Sequence, residues 1–248
     1  MTKVRLEARS ESMCDKGQVV NGGVVMYLPL SSRCIVVSAQ ATLKLIRSLL
    51  LWTPIKTMPH IALPPNKPGM VALGAYRPDI YSRLGSLANL LLHQEHSGST
   101  LSPGERELIA TYVSSLNGSN YCQAAHGSIA AAHLQDSKLV EDVKRNFEGS
   151  GVSPKMKLLL SIASMVQRSG KDVSSEAVEK AKKEGASDMD VHDTVLIAAM
   201  FYMFNRYVDG LRTEIPSDME VFVSRGAMIA ERGYMGLPVS LKTEDKDE

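Results

Sequence analysis

Cys122 and His126 stand four residues apart in the run NGSNYCQAAHG, residues 117–127. On a helix a thiol and an imidazole at that spacing share one face, with Cβ atoms about 5–6 Å apart, so they can meet directly or through one water. The thiolate is the nucleophile. A first-turn position, with its unpaired N–H groups, and a nearby protonated imidazole both favour it, so the spacing predicts a lowered pKa for Cys122. The same pair also fits a plainer description, a small buried hydrophobe beside a core histidine. Glu107 bears on the choice. It lies about three helical turns before the Asn117-Gly118 break, and His126 about two turns after it. A carboxylate there can hold the imidazole in one tautomer and relay a proton, as in a triad. The alternative is a solvated surface glutamate like its neighbours Glu105 and Arg106.

The other reactive side chains say less. His93 and His96 have an i, i+3 spacing that suits a metal, but no third ligand is in view, and a helix-end surface pair is the better description. No metal or cofactor is expected. His133 lies on the stripe of His126 and can line the same cavity. His192 follows a helix cap and can bond locally. Asn205, Arg206 and Asp209 interrupt an apolar segment, either satisfying one another at a subunit interface or facing a pocket. The Met-rich AMFYMF reads as core.

These residues need helices to hold them. The chain has 248 residues, 44% hydrophobic and 22% charged, with aromatics at 5%. Its Ala-rich stretches, IAAAHL and VLIAAMF, favour helix over sheet. Ser102-Pro103 with Glu105 predicts a capping box with proline at the first helical position. The helix that follows ends at Asn117-Gly118, so it forms a tight hairpin or corner with the next one, over 120–134, for which Ser119 is the expected cap. RPDIYSRLGSLANLLLHQ, SPKMKLLLSIASMVQRSG, SSEAVEKAKKEG and SDMEVFVSRGAMIAERG read as further helices. The segment capped by Ser187 is apolar on most faces and predicts a buried central helix. Residues 1–57 lack clean helical periodicity, with a β-like GGVVMYLPL and an amphipathic TLKLIRSLLLW. The tail KTEDKDE is expected to be disordered.

The formal net charge is +1, which leaves no electrostatic footprint for nucleic acid or an anionic membrane. The longest apolar run, residues 35–52, is broken by Lys44 and Arg47, so no membrane span is expected. Three cysteines, Cys14, Cys34 and Cys122, form no disulfide framework and fit a reducing compartment. The expected location is the cytoplasm, or the mitochondrion if residues 1–57 act as a leader, against which Glu7, Glu11 and Asp15 argue.

The run LSPGERELIATYVSSLNGSNYCQAAHGSIAAAH resembles the AhpD-like branch of the carboxymuconolactone decarboxylase family, in particular its peroxidase-related members. The family signature is Glu, eleven residues, Cys, two residues, Cys, three residues, His, and Glu107, Ser119, Cys122 and His126 fall on it without a gap. The resemblance extends from Met58 to about Tyr234 and includes RPDIYSRLGSLANLLLH and HDTVLIAAMFYMFNRYVDGL. It implies an all-α, AhpD-like helical domain over 58–236, an irregular N-terminal extension over 1–57 and a disordered tail over 237–248. It implies Cys122 as the peroxide-attacking thiol with Glu107 and His126 as its relay, and it puts Tyr121 where some members have a residue contributing to that relay. It also implies homo-oligomers. Ser119 departs from the pattern, since it stands where the resolving cysteine belongs and cannot form a disulfide. An oxidised Cys122 would need an external thiol reductant. The leading expectation is thus reduction of a hydroperoxide through Cys122 in a one-cysteine cycle. A decarboxylase-type enzyme using acid/base groups alone is one alternative, and a catalytically silent oligomeric or redox-sensing protein another.

Overall fold

A computed structural model describes residues 58–95 and 97–234, together with the backbone of two short strands, β1 (Gly23–Met26) and β2 (Ile35–Ser38). The chain divides into two units, Met1–Lys56 and Thr57–Glu248. In the first, β1 and β2 pair antiparallel with Val24 opposite Val37. The amphipathic TLKLIRSLLLW, the expected disordered tail over 237–248 and His96 lie outside the described residues.

The second unit is all-α over its described residues. Its helices are α1 (Gly69–Tyr76), α2 (Pro78–Ala88), α3 (Pro103–Leu116), α4 (Asn120–Leu134), α5 (Ser137–Asn146), α6 (Pro154–Arg168), α7 (Ser175–Lys183), α8 (Asp188–Gly210) and α9 (Glu220–Arg232). A single π-helical turn, Asn89–His93, continues α2. No described helix is long and apolar enough to cross a membrane.

The local signals act as their chemistry requires. The Ser102 side chain accepts from the Glu105 amide while the Glu105 side chain reaches back to the Ser102 amide. Ser187 and Asp190 repeat the arrangement at α8, and Ser153 caps α6. Asp190 does more than cap. Its carboxylate, fully buried, also accepts from the Thr100 amide at 2.6 Å, the Thr100 hydroxyl at 2.7 Å and the Ser99 hydroxyl at 3.1 Å. That pins the loop before α3 to the start of α8. Burial alone would raise the Asp190 carboxyl; the hydrogen bonds from Thr100, Ser187 and Ser99 outweigh it and hold it down to about 2.

The core sits between α3, α4, α6 and α8, where Ile109, Val113, Leu159, Leu160, Ile162, Ile197 and Phe201 are all buried. Each large apolar side chain there contributes about 1.5–3 kcal/mol. A smaller cluster of Leu73, Tyr121, Cys122, Val208 and Phe222 joins α1, α4, α8 and α9. α9 lies close along α4, and Gly226 is what permits it: a Cβ there would come within 2.8 Å of the Ser128 carbonyl carbon.

Three expectations change. α8 is central but not buried all round: Leu196, Tyr202 and Met203 are exposed along one face. The apolar periphery of its sequence reflects an uncovered stripe, with Arg206 stacked 4.2 Å over the Tyr202 ring. Arg106 is no surface residue; it is buried and donates to the carbonyls of Gln94 at 2.6 Å and Leu101 at 2.8 Å. Ser119 occupies the N-cap position of α4, but its side chain accepts no capping bond; its hydroxyl donates across the fold to Asp209.

Candidate active site

The site is built on the corner between α3 and α4. Gly118, at φ 68°, adopts the left-handed conformation that turns the chain there. The two helices then pack side by side and bring Glu107 against His126. Glu107 is 1% exposed, and its Oε2 lies 2.8 Å from His126 Nδ1. The edge of the Phe201 ring meets His126 with centroids 4.5 Å apart, which fixes the imidazole plane. With Nδ1–H donated to the carboxylate, Nε2 carries the lone pair and is the basic nitrogen. It has no hydrogen-bond partner among the described residues.

A third group completes the arrangement. The Tyr234 hydroxyl donates to Glu107 Oε1 and lies 3.2 Å from His126 Nδ1. Its phenol is pushed well above the ordinary value, first by burial and then by the neighbouring Glu107 carboxylate. Tyr234 arrives from beyond the end of α9. Its amide donates to Asn89 Oδ1 at 2.8 Å, and Gly233, at φ 74°, makes the turn that delivers it; a Cβ at 233 would stand 2.4 Å from Asn89 Oδ1. Nothing in the spacing of the sequence marks Tyr234. The only signal is its place directly after a glycine at the end of the last helical pattern.

Cys122 and His126 line one cavity of about 80 Å³, together with Tyr234 and an apolar wall that includes Leu84, Ile129 and Phe204. Cys122 is 3% exposed. The expected lowering of its pKa is overturned. Burial pushes the thiol up, the Asp209 charge adds to this, and hydrogen bonding to Ser119 and Asn205 opposes it without prevailing. Local dipoles at the first turn favour a thiolate, but the roof formed by α1, α8 and α9 removes the water that a thiolate needs. The resting side chain is therefore a neutral thiol.

Behind Cys122 lies a polar network. Ser119, fully buried, donates its hydroxyl to Asp209 Oδ1 at 3.0 Å. Asn205, also fully buried, donates to Ser114 Oγ at 3.1 Å and accepts from Asn117 Nδ2 at 2.8 Å. Burial raises the Asp209 carboxyl, with the Ser119 bond and Arg206 pulling the other way. Asn205 and Asp209 thus support the site from α8, while Arg206 faces outward.

Two expected participants are placed elsewhere. Tyr121 lines the cavity but bonds neither Glu107 nor His126. Its ring lies against Gly69, where a Cβ would sit 2.1 Å from its Cζ, and meets Phe222 edge-on at 5.6 Å. Tyr234, not Tyr121, is the phenol on the carboxylate. His133 does not line the cavity; it stands 6.1 Å from His93, ring centre to ring centre, and burial lowers its pKa. His192 bonds its neighbour Asp193 at 3.0 Å. Among the described residues no group of three or more His, Cys, Asp or Glu side chains is arranged to hold a metal ion.

Residues 78–138 match the profile of the carboxymuconolactone decarboxylase family, a span that carries Glu107, Ser119, Cys122 and His126. No curated protein matches the chain at a significant level. Among solved structures, the AhpD core of a peroxidase-related protein from Ralstonia eutropha JMP134 is similar, with a TM-score of 0.57 and 23% identity over 73% of this chain and 88% of that one. A peroxidase-related protein from Silicibacter sp. TM1040 aligns with a TM-score of 0.57 and 20% identity over 77% and 92% of the two chains. A Cys-to-Ala variant of the debrominase Bmp8 in complex with 2,3,4-tribromopyrrole aligns with a TM-score of 0.53 and 17% identity over 64% and 82%. The resemblance to the carboxymuconolactone decarboxylase family is thus shown over residues 78–138, and the fold is AhpD-like.

Proposed function

We propose that this chain is a thiol-dependent oxidoreductase that reduces organic hydroperoxides through Cys122, with Glu107 and His126 as its proton relay and no resolving cysteine of its own. The observation that carries this reading is that Cys122 and a Glu107-bonded histidine line one small apolar cavity. Because the thiol rests neutral, its deprotonation is coupled to attack. His126 Nε2 takes the thiol proton as sulfur bonds the terminal peroxide oxygen, the O–O bond breaks, and the imidazolium protonates the departing alkoxide. The products are the Cys122 sulfenic acid and an alcohol. Ser119 cannot close a disulfide, so one molecule of external thiol displaces water to give a mixed disulfide. A second releases Cys122 as the thiol and leaves as the oxidised disulfide. An apolar wall suits an organic hydroperoxide, and a debrominase of the same fold holding a brominated pyrrole supports a small organic ligand. The exposed stripe on α8 supports a homo-oligomer in this reading.

Brief exposure to cumene hydroperoxide with a sulfenic-acid trap, followed by mass spectrometry, tests the proposal. Labelling of Cys122 together with thiol-dependent peroxide turnover is the expected result. Turnover that survives Cys122→Ser would overturn it. One observation favours a second reading, an acid/base lyase of decarboxylase type. The Glu107, His126 and Tyr234 arrangement is complete without Cys122, whose thiol burial holds neutral. Retained lyase activity in Cys122→Ser would select that reading.

A further inference from the structure

Of the described residues that line the Cys122 cavity, Arg225 alone is a lysine or arginine, and none is a carboxylate. Arg225 projects from α9, half-buried, and its charge is felt by two of the three phenols of the wall, Tyr121 and Tyr234. No hydrogen bond or ion pair joins it to another described residue. The acids of its own helix are engaged elsewhere: Glu231 pairs with Arg232 at 3.3 Å, and Glu220 accepts from Ser224 at 3.5 Å. An arginine that no described residue holds, set on an otherwise apolar wall, is the group there with which an anion entering the cavity can pair.

We propose that Arg225 is the anion anchor of this site, so that the molecule acted on is a small apolar compound bearing a carboxylate, held by the guanidinium with its reactive end at Cys122. This rests on the reading that Cys122 is the reactive group. The cavity sets the size. At about 10–15 Å³ for one water on this measure, a volume of about 80 Å³ holds a few waters, the scale of a single ring or a short chain. The plainer role for Arg225 is to cover the wall with its methylene stem while its head stays in water. The two roles differ in what charge does at Cys122.

Alkylation of Cys122 separates them without any peroxidase assay. Iodoacetate and iodoacetamide are near-isosteres; with each, the sulfur displaces iodide, and only the first is an anion. Their rate ratio at Cys122, relative to the ratio for glutathione, cancels changes in thiol reactivity. An anchoring Arg225 makes that relative ratio favour iodoacetate by about tenfold, on the scale of one charge-assisted hydrogen bond. Arg225→Gln brings it to about one, Arg225→Lys restores part of it, and high salt weakens it in the unsubstituted protein. Benzoate should slow the iodoacetamide reaction where benzamide does not. A relative ratio near one in the unsubstituted protein at low salt, or one untouched by Arg225→Gln, overturns the proposal. If Arg225→Gln fails to fold, the salt series and the benzoate protection decide. Absence of peroxide turnover would overturn the peroxidase reading and leave the alkylation ratio as it is.

Discussion

Replacing Tyr234 by Phe removes one oxygen and keeps the ring. That oxygen donates to Glu107 Oε1 and sits 3.2 Å from His126 Nδ1. Glu107 is 1% exposed, so water does not take the vacated place without rearrangement. A hydrogen bond to a charged group contributes about 1.5–3 kcal/mol. A loss of about 2 kcal/mol lowers Tm by ~4–8 °C for a unit of this size. The loss belongs to the pair, so it should vanish where the carboxylate is already gone: Tyr234→Phe added to Glu107→Gln should cost less than about 0.5 kcal/mol. Urea denaturation of the four proteins of that cycle measures the coupling. The same cycle, run on the rate of Cys122 oxidation by cumene hydroperoxide, separates a relay from a clamp. A group that only clamps lowers stability and spares the rate, whereas one that fixes the histidine lowers both. A Tm within 1 °C of the parent, or plain additivity in the cycle, would refute the claim that Tyr234 holds the carboxylate.

Because burial raises the Cys122 thiol, its alkylation midpoint should lie above about 8.5, and a midpoint at 7 or below would mean that local dipoles outweigh burial. The Asp190 carboxyl is held down to about 2 when folded against about 3.9 unfolded. Its contribution is complete above pH ~4 and is lost as pH falls towards ~2, so Asp190→Asn should flatten the fall of Tm across that window; an unchanged slope would contradict this. Ser119→Cys should form a disulfide with Cys122 under peroxide and accept a dithiol reductant, at a stability cost of about 0.5–1.5 kcal/mol for the part-buried bond to Asp209 that it breaks. A disulfide without gain in turnover would show that the missing thiol is not what limits the site.

The α3–α4 corner and the meeting of Glu107 with His126 are legible in the sequence because they depend on helix pitch, one capping box and one glycine turn. What escapes depends on contacts between distant segments. Ser119 looks like a cap, and no local pattern shows that its hydroxyl donates to Asp209, ninety positions on. Cys122 looks activated until α1, α8 and α9 cover it. Tyr234 answers a carboxylate 127 positions earlier, and no local pattern encodes that. α5 follows a reversal at Gln135, which takes φ 53° without a glycine or proline to announce it.

The order in which these groups leave the ribosome differs from the order in which they are needed. Glu107 precedes Tyr234 by 127 residues, which at about 5–20 residues per second is an interval on the order of 6–25 s. During it, α3 and α4 can pair and place Cys122 beside His126, while α9, which forms one wall of the pocket, has not been made. The nascent chain therefore passes through a stage with an uncovered thiol and a carboxylate lacking its phenol. A cell under peroxide stress meets the protein at that stage before it meets the finished one, so cysteine damage should be concentrated in newly made molecules rather than in old ones.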